Sequence, residues 1–240
     1  MTVGPTLVGR ALSKRFGGVQ AVADVSIELG ADAPVTTIIG PNGAGKTTLL
    51  NLLCGALPAD DGSVFLDGRD VTPLGMRRRM GLGIARTFQH TGIFRQLTPV
   101  EHFALLANRH PQSGRAWALS EWLETFHLAR YQDEPAENLN HVSQRLLEIG
   151  MMVASAPRVL MLDEPTAGMD MAEVAQIASV VRNLRGTMQI MIIEHDIAFV
   201  LSISDRIVVL DQGRIIASGT PEAVRSDERV AAAYMRQGHQ

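Results

Sequence analysis

The densest chemical signal in this 240-residue chain is one run, Gly40-Pro41-Asn42-Gly43-Ala44-Gly45-Lys46-Thr47. It fits the spacing G-x-x-x-x-G-K-[ST] between an apolar run and a leucine-rich one. Glycines let the backbone wrap so that successive N–H groups point inward at phosphate oxygens, and a helix that follows adds its positive end. Lys46 supplies a point charge for the β- and γ-phosphates, and the Thr47 hydroxyl is a ligand for Mg²⁺. Chance gives on the order of 0.01 such matches in this length, so the run reads as a phosphate-binding loop.

A second signal is Val159-Leu160-Met161-Leu162-Asp163-Glu164-Pro165, an apolar run ending in two carboxylates. Alone, this is a strand followed by an acidic turn, which is common. Beside a phosphate loop, Asp163 becomes a holder of Mg²⁺ and Glu164 a group that polarises an attacking water. His195 follows another apolar run, Gln189 to Ile193. It reads either as a surface or capping residue or as a donor to charge developing on a γ-phosphate, and spacing leaves both open.

These groups need elements to position them. Val35 to Ile39 is β-branched, apolar on both faces and ends at Gly40, as a buried parallel strand would be. A helix is expected from Thr47 to Leu57, stopped by Pro58. Val159 to Leu162 and Gln189 to Ile193 are further buried strands, with Met171 to Leu184 as a crossover helix between them. Arg206 to Leu210, a Gly turn at Asp211-Gln212-Gly213 and Arg214 to Ala217 form a hairpin signal. Leu7 to Gly30 holds more strand-like text joined by Gly17-Gly18. From about residue 98 to 155 strands vanish and helical patterns take over. The expected fold is an α/β phosphate-loop core with an N-terminal antiparallel β part and an inserted helical lobe, all in one domain over residues 1–240.

Composition sets outer limits. Hydrophobic residues make up 46% and charged residues 20%, enough for a substantial core and unlike a disordered or coiled-coil chain. The net charge of −3 gives no global field toward nucleic acid or anionic lipid. Arg77-Arg78-Arg79 is the one charge run, read as a solvated helix face. The single cysteine, Cys54, reads as a small core residue and fits a reducing compartment. No opening signal peptide and no apolar run of membrane-spanning length is found, so a soluble, intracellular chain is expected.

Taken with Thr87-Phe88-Gln89, these segments resemble the ATP-binding subunits of ABC transporters, over nearly the whole chain. RFGGVQAVADVS, GIARTFQ and DQGRIIASGTPEAVRSD are similar to the branched-chain amino-acid uptake type. The resemblance implies that Phe16 stacks on adenine with Val22 packed beside it. It makes Gly40, Pro41, Asn42, Gly43, Ala44, Gly45, Lys46, Thr47 and Thr48 the Walker A segment. Gln89 becomes a Mg²⁺ and water ligand at a hinge facing the membrane partner, and Asp163 and Glu164 become the Walker B pair with Glu164 as base. Ala167 to Asp170 falls on the D-loop, and His195 matches the switch histidine.

One segment departs from the family. The signature, expected as LSYGQQR, is Leu139-Asn140-His141-Val142-Ser143-Gln144-Arg145. Asn140, Val142 and Ser143 replace its serine, glycine and first glutamine. Val142 is expected to put a branched side chain where backbone approaches phosphate, while Asn140 can still cap the helix. The resemblance implies ATP and Mg²⁺ as cofactors and transmembrane permease subunits as partners, with an extracytoplasmic solute-binding protein acting indirectly. It also implies a second nucleotide-binding subunit, a copy or a paralogue, and a place at the cytoplasmic face of the inner membrane. The competing class is a soluble ABC ATPase of DNA repair or chromosome organisation. That class would want a heptad insertion or a basic face, and the text has neither.

Overall fold

The computed structural model describes residues 6–87, 92–107 and 119–235. The elements run in the order β1 (Leu7–Phe16), β2 (Val19–Leu29), β3 (Val35–Ile39), α1 (Lys46–Cys54), β4 (Asp61–Leu66), β5 (Arg69–Asp70), α2 (Met76–Gly81) and β6 (Ile84–Arg86). Then come α3 (Pro99–Ala107), α4 (Leu119–Thr125), α5 (His141–Ala154), β7 (Val159–Asp163), α6 (Met171–Leu184), β8 (Gln189–Ile193) and α7 (Ile197–Ile203). The chain closes with β9 (Arg206–Asp211), β10 (Arg214–Gly219), α8 (Pro221–Arg225) and α9 (Glu228–Met235).

Two sheets result. A four-stranded antiparallel sheet has the order β2-β1-β4-β5, and a six-stranded sheet has the order β10-β9-β3-β8-β7-β6. In the larger one every neighbouring pair is parallel except the β9–β10 hairpin. That hairpin turns at Gln212 and Gly213, both at positive φ, the twist a two-residue turn needs.

Helix α1 lies between the sheets. Leu49, Leu50, Leu52 and Leu53 pack with β1 and β2 on one side and with Ile38, Met161 and Met191 on the other. Leu160, Leu162, Ile190 and Ile192 face the opposite way, into a second core shared with α5, α6 and α7. Alternate residues of β7 thus enter two different cores, which is why its sequence is continuously apolar.

The expected strands, crossover helix, hairpin and helical segment are all present. The short β6 and the helix α2 add to them, both too brief to show a period in the sequence. Helix α1 stops earlier than expected, at Gly55 in the left-handed conformation rather than at Pro58. Arg79 takes part in that ending: its guanidinium donates to the carbonyls of Leu52, Leu53, Leu74 and Thr72. Arg77 and Arg78 are solvated as expected, but Arg79 is buried, so the charge run is not one uniform face. Cys54 is a buried free thiol.

Between β6 and β7 the described elements are helices α3, α4 and α5 and two single helical turns. Phe103, Trp122 and Phe126 stack at ring distances of 5.4 and 5.5 Å to form their aromatic centre.

Candidate functional site

Strands β3, β8 and β7 are neighbours and parallel, so their carboxyl ends open on one edge of the sheet. The phosphate loop leaves β3, Asp163 ends β7, and Glu194-His195 follows β8. A crevice at the carboxyl ends of parallel strands is where α/β sheets bind ligands.

Two glycines let the loop sit this low. A Cβ on Gly40 would stand 2.0 Å from the carbonyl oxygen of Leu210, and one on Gly45 would stand 2.2 Å from that of Ala21. Gly45 is also the N-cap of α1, at φ +101°, and has no side chain to cap the helix. The first-turn N–H groups therefore head the helix without a side-chain acceptor, which suits an anion. Lys46 is 8% exposed and donates to the carbonyls of Gly40 and Pro41 at 2.7 and 3.0 Å. Burial holds its ammonium below the ordinary lysine range, against the opposing pull of Glu164 and Asp163. Thr47 is exposed and Thr48 half-buried.

Asp163 is buried and ion-paired through Oδ2 to Arg86 Nη2 at 3.1 Å. Arg86 also donates to Asn51 on α1. Glu164 is half-buried and takes φ +46°, a conformation costing about 1–2 kcal/mol for a residue with a side chain. The surroundings hold it there. Its N–H donates to the Ile193 carbonyl at 2.9 Å, and the Asp163 N–H to Thr87 Oγ1 at 3.4 Å. Arg145, reaching from α5, donates to the carbonyls of Asp163 and Glu164 at 3.1 and 3.3 Å. His195 has a side chain 62% exposed at the same edge.

A carboxylate and a hydroxyl are hard oxygen donors, the protein share of a Mg²⁺ site completed by phosphates. Among the described residues no three His, Cys, Asp or Glu side chains form a metal cluster. The donor set fits a nucleotide-borne Mg²⁺.

The remaining expected site residues fare differently. Phe16 is 48% exposed at the end of β1, so it is a surface ring and not plain core. Val22, expected beside Phe16 at the base, is fully buried in the core that holds α1, so β2 turns it inward and leaves it no surface open to a nucleotide. The exposed aliphatic neighbour of Phe16 is Val19, its cross-strand partner. Gln89 lies outside the described residues.

Asn140 caps α5, its Oδ1 accepting from the Ser143 N–H at 3.0 Å. Val142 is 1% exposed within the helical core, so its branched side chain does not stand on the outward face as expected. At that turn of α5 the side chain points inward. Ser143 is buried too.

Sequence reasoning missed Arg86, Arg145, Thr166 and Glu194. A signal existed for two of them: Arg86 and Glu194 are charges set directly at the end of apolar strands, as Asp163 is.

Comparison with known proteins agrees with this geometry. The ABC transporter family model matches residues 22–167, and a branched-chain amino acid ATP-binding cassette transporter model matches residues 214–235. The chain is 36% identical to the high-affinity branched-chain amino acid transport ATP-binding protein LivG of Salmonella typhimurium, over 96% of this chain and 98% of that one. BraF of Pseudomonas aeruginosa, of the same description, matches at 36% with the same coverage. The lipopolysaccharide export system ATP-binding protein LptB of Escherichia coli is 32% identical over 96% of this chain and 97% of that one. Among solved structures, the ADP conformation of MJ1267, an ATP-binding cassette of an ABC transporter, superposes with a TM-score of 0.83 at 30% identity, covering 96% and 98% of the two chains.

Proposed function

Because this chain belongs to the ABC transporter family of ATP-binding subunits, we propose that it binds and hydrolyses ATP to drive import of a small solute, of the branched-chain amino-acid class or related amides, through transmembrane permease subunits. One observation carries the reading: the Gly40–Thr48 loop, the Asp163-Glu164 pair and His195 stand together at the ends of three adjacent strands. The import direction rests on the match over residues 214–235 and on LivG and BraF, which are more similar to this chain than LptB is. The DNA-repair alternative is not carried forward, since these relatives are transport proteins.

The chemistry follows from the residues. The head of α1 and Lys46 bind the phosphates, and Phe16 offers its exposed face to the base. Thr47 and Asp163 would hold Mg²⁺, which neutralises phosphate charge when bound, with Gln89 a further ligand by family resemblance. Glu164 polarises the attacking water and takes its proton at the carboxylate. His195 donates a ring N–H to charge developing on the γ-phosphoryl oxygens. The 240 residues act as one cassette at the cytoplasmic face of the membrane, held there by partner subunits, with a solute-binding protein acting at a distance.

The altered signature adds a second part. A paralogous subunit with a complete signature would serve this chain's Walker A and B residues, while the partner's nucleotide would meet Asn140 at the exposed head of α5. The isolated chain should bind ATP yet turn over slowly, and activity should rise when the copurified partners are present. Copurification of the native complex and ATP-driven leucine uptake in vesicles test the whole proposal. Permease subunits in the complex and ATP-dependent uptake are expected; nucleic-acid-dependent ATPase activity with no membrane partner would refute it. Fast turnover by the isolated chain would remove the unequal-site part alone.

A further inference from the structure

Glu194 is a carboxylate with no exposed surface, and the hydrolysis just described gives it no task. Burying a charge is costly unless hydrogen bonds compensate it, so its partners are informative. Oε1 accepts from the Thr166 N–H at 3.0 Å and from the Thr166 hydroxyl at 2.6 Å. Oε2 accepts from the His195 N–H at 3.0 Å and lies 3.7 Å from His195 Nδ1. Its own N–H donates to Ile38, the penultimate residue of β3, at 3.2 Å.

Thr166 lies two residues beyond Glu164 in the turn that leaves β7, and the Met169 N–H donates to its carbonyl. A single carboxylate therefore grips the turn carrying Glu164 with one oxygen and the backbone of His195 with the other. The strained φ of Glu164 needs such restraint, because nothing in its own conformational preference keeps it there.

We infer that Glu194 is a positioning residue for hydrolysis: through Thr166 on one side and His195 on the other, it holds the water-activating carboxylate and the switch histidine in register with each other. This rests on the roles proposed above for Glu164 and His195. The charge is needed because both of its oxygens must accept. A glutamine keeps the shape but turns one acceptor into a donor facing the His195 N–H.

The test uses the complex copurified with this chain and compares Glu194→Gln, Thr166→Val, Thr166→Ser, the Glu194→Gln/Thr166→Val double variant and His195→Ala. Small misplacements of catalytic groups can cost up to roughly 10²-fold, so Glu194→Gln and Thr166→Val should each lower kcat by about 10- to 100-fold. ATP affinity and KM should stay within about twofold, because no group touching ATP is removed. Thr166→Ser should recover most of the loss, since serine keeps the hydroxyl. The double variant should be hardly worse than either single one, because both cut the same tie. Wild-type kcat in Glu194→Gln or Thr166→Val, a raised KM at unchanged kcat, or multiplicative losses in the double variant would each overturn the inference. If His195→Ala turns over normally, the histidine assignment itself fails and the histidine half of the tie falls with it. Should Glu194→Gln not fold, Thr166→Val against Thr166→Ser decides the matter alone.

Discussion

The turn at Asp163-Glu164 and the head of α5 are joined through Arg145, yet they are held in opposite ways. The turn is gripped from four sides, by Thr87, Ile193, Glu194 and Arg145, and all four grips converge within a few residues. The head of α5 is secured by its own cap and by side chains that point into the helical core. Two residues there match the family: Gln144 donates to the carbonyls of Ala136 and Leu139, and Arg145 to those of Asp163 and Glu164. The departures at Asn140, Val142 and Ser143 leave that internal framework standing. Gln144 and Arg145 tie α5 to other elements through specific hydrogen bonds. Val142 and Ser143 are departures buried without such ties to the turn, and Asn140 is an exposed departure that keeps its cap.

The sharpest way to break this contrast is at the turn. Glu164→Gln removes only a charge from a residue whose backbone is held by others. ATP binding should persist while turnover in the assembled complex falls by roughly 10²–10⁴-fold, the range for a lost general base. Normal hydrolysis would mean that the restraints around Glu164 serve some other residue. Lys46→Ala comes next. It removes a buried cation from the loop, where each charge-assisted contact is worth about 1.5–3 kcal/mol, so ATP should bind roughly 10- to 150-fold more weakly. Calorimetric titration of ATP checks it, and an unchanged Kd would remove Lys46 from the site.

How much of this could be read from the residues follows the same division. The loop, both carboxylates, His195 and the strands that carry them were legible, because strand ends and glycine spacing are local patterns. The burial of Val22 and Val142 was not. Both lie in segments whose inward face is set by distant elements: Val22 enters the core that holds α1, and Val142 the core that α5 shares with β7, α6 and α7. Arg79 looked like its two neighbours because text carries no sign of which helix C-terminus a guanidinium will reach. Glu194 looked like a lead-in to His195, since its partner Thr166 is distant in sequence.

Burial of Val142 sharpens the comparison at the signature. Restoring the family's glycine there removes a buried side chain worth about 1.5–3 kcal/mol and adds a helix-propensity cost near 1 kcal/mol. Val142→Gly should therefore destabilise the chain by roughly 2.5–4 kcal/mol, or about 5–15 °C in Tm for this size. A combined Asn140→Ser, Val142→Gly, Ser143→Gln variant would mix that loss with any gain in hydrolysis. Asn140→Ser alone is the cleaner restoration, because Ser143 is buried as well. An unchanged melting curve for Val142→Gly would mean that the helical core does not depend on this side chain.

The smallest effect separates the two faces of a single residue. Asn140 caps α5 with Oδ1, and its amide N–H₂ is the part left to meet a partner's phosphate. Asn140→Ala removes the cap and should cost about 1 kcal/mol, a shift of roughly 2–4 °C in Tm. Asn140→Asp keeps an equally good cap and places negative charge at a helix N-terminus, so stability should hold or rise slightly. The same change replaces a donor with an anion on the surface that would face phosphate, so turnover of the assembled complex should fall by about 10-fold or more. Melting curves and ATPase rates of the two variants then move in opposite order: alanine hurts stability more, aspartate hurts turnover more. If aspartate leaves turnover intact, the head of α5 does not approach the partner's nucleotide. Its departures from the family would then be neutral surface changes and not the mark of unequal sites.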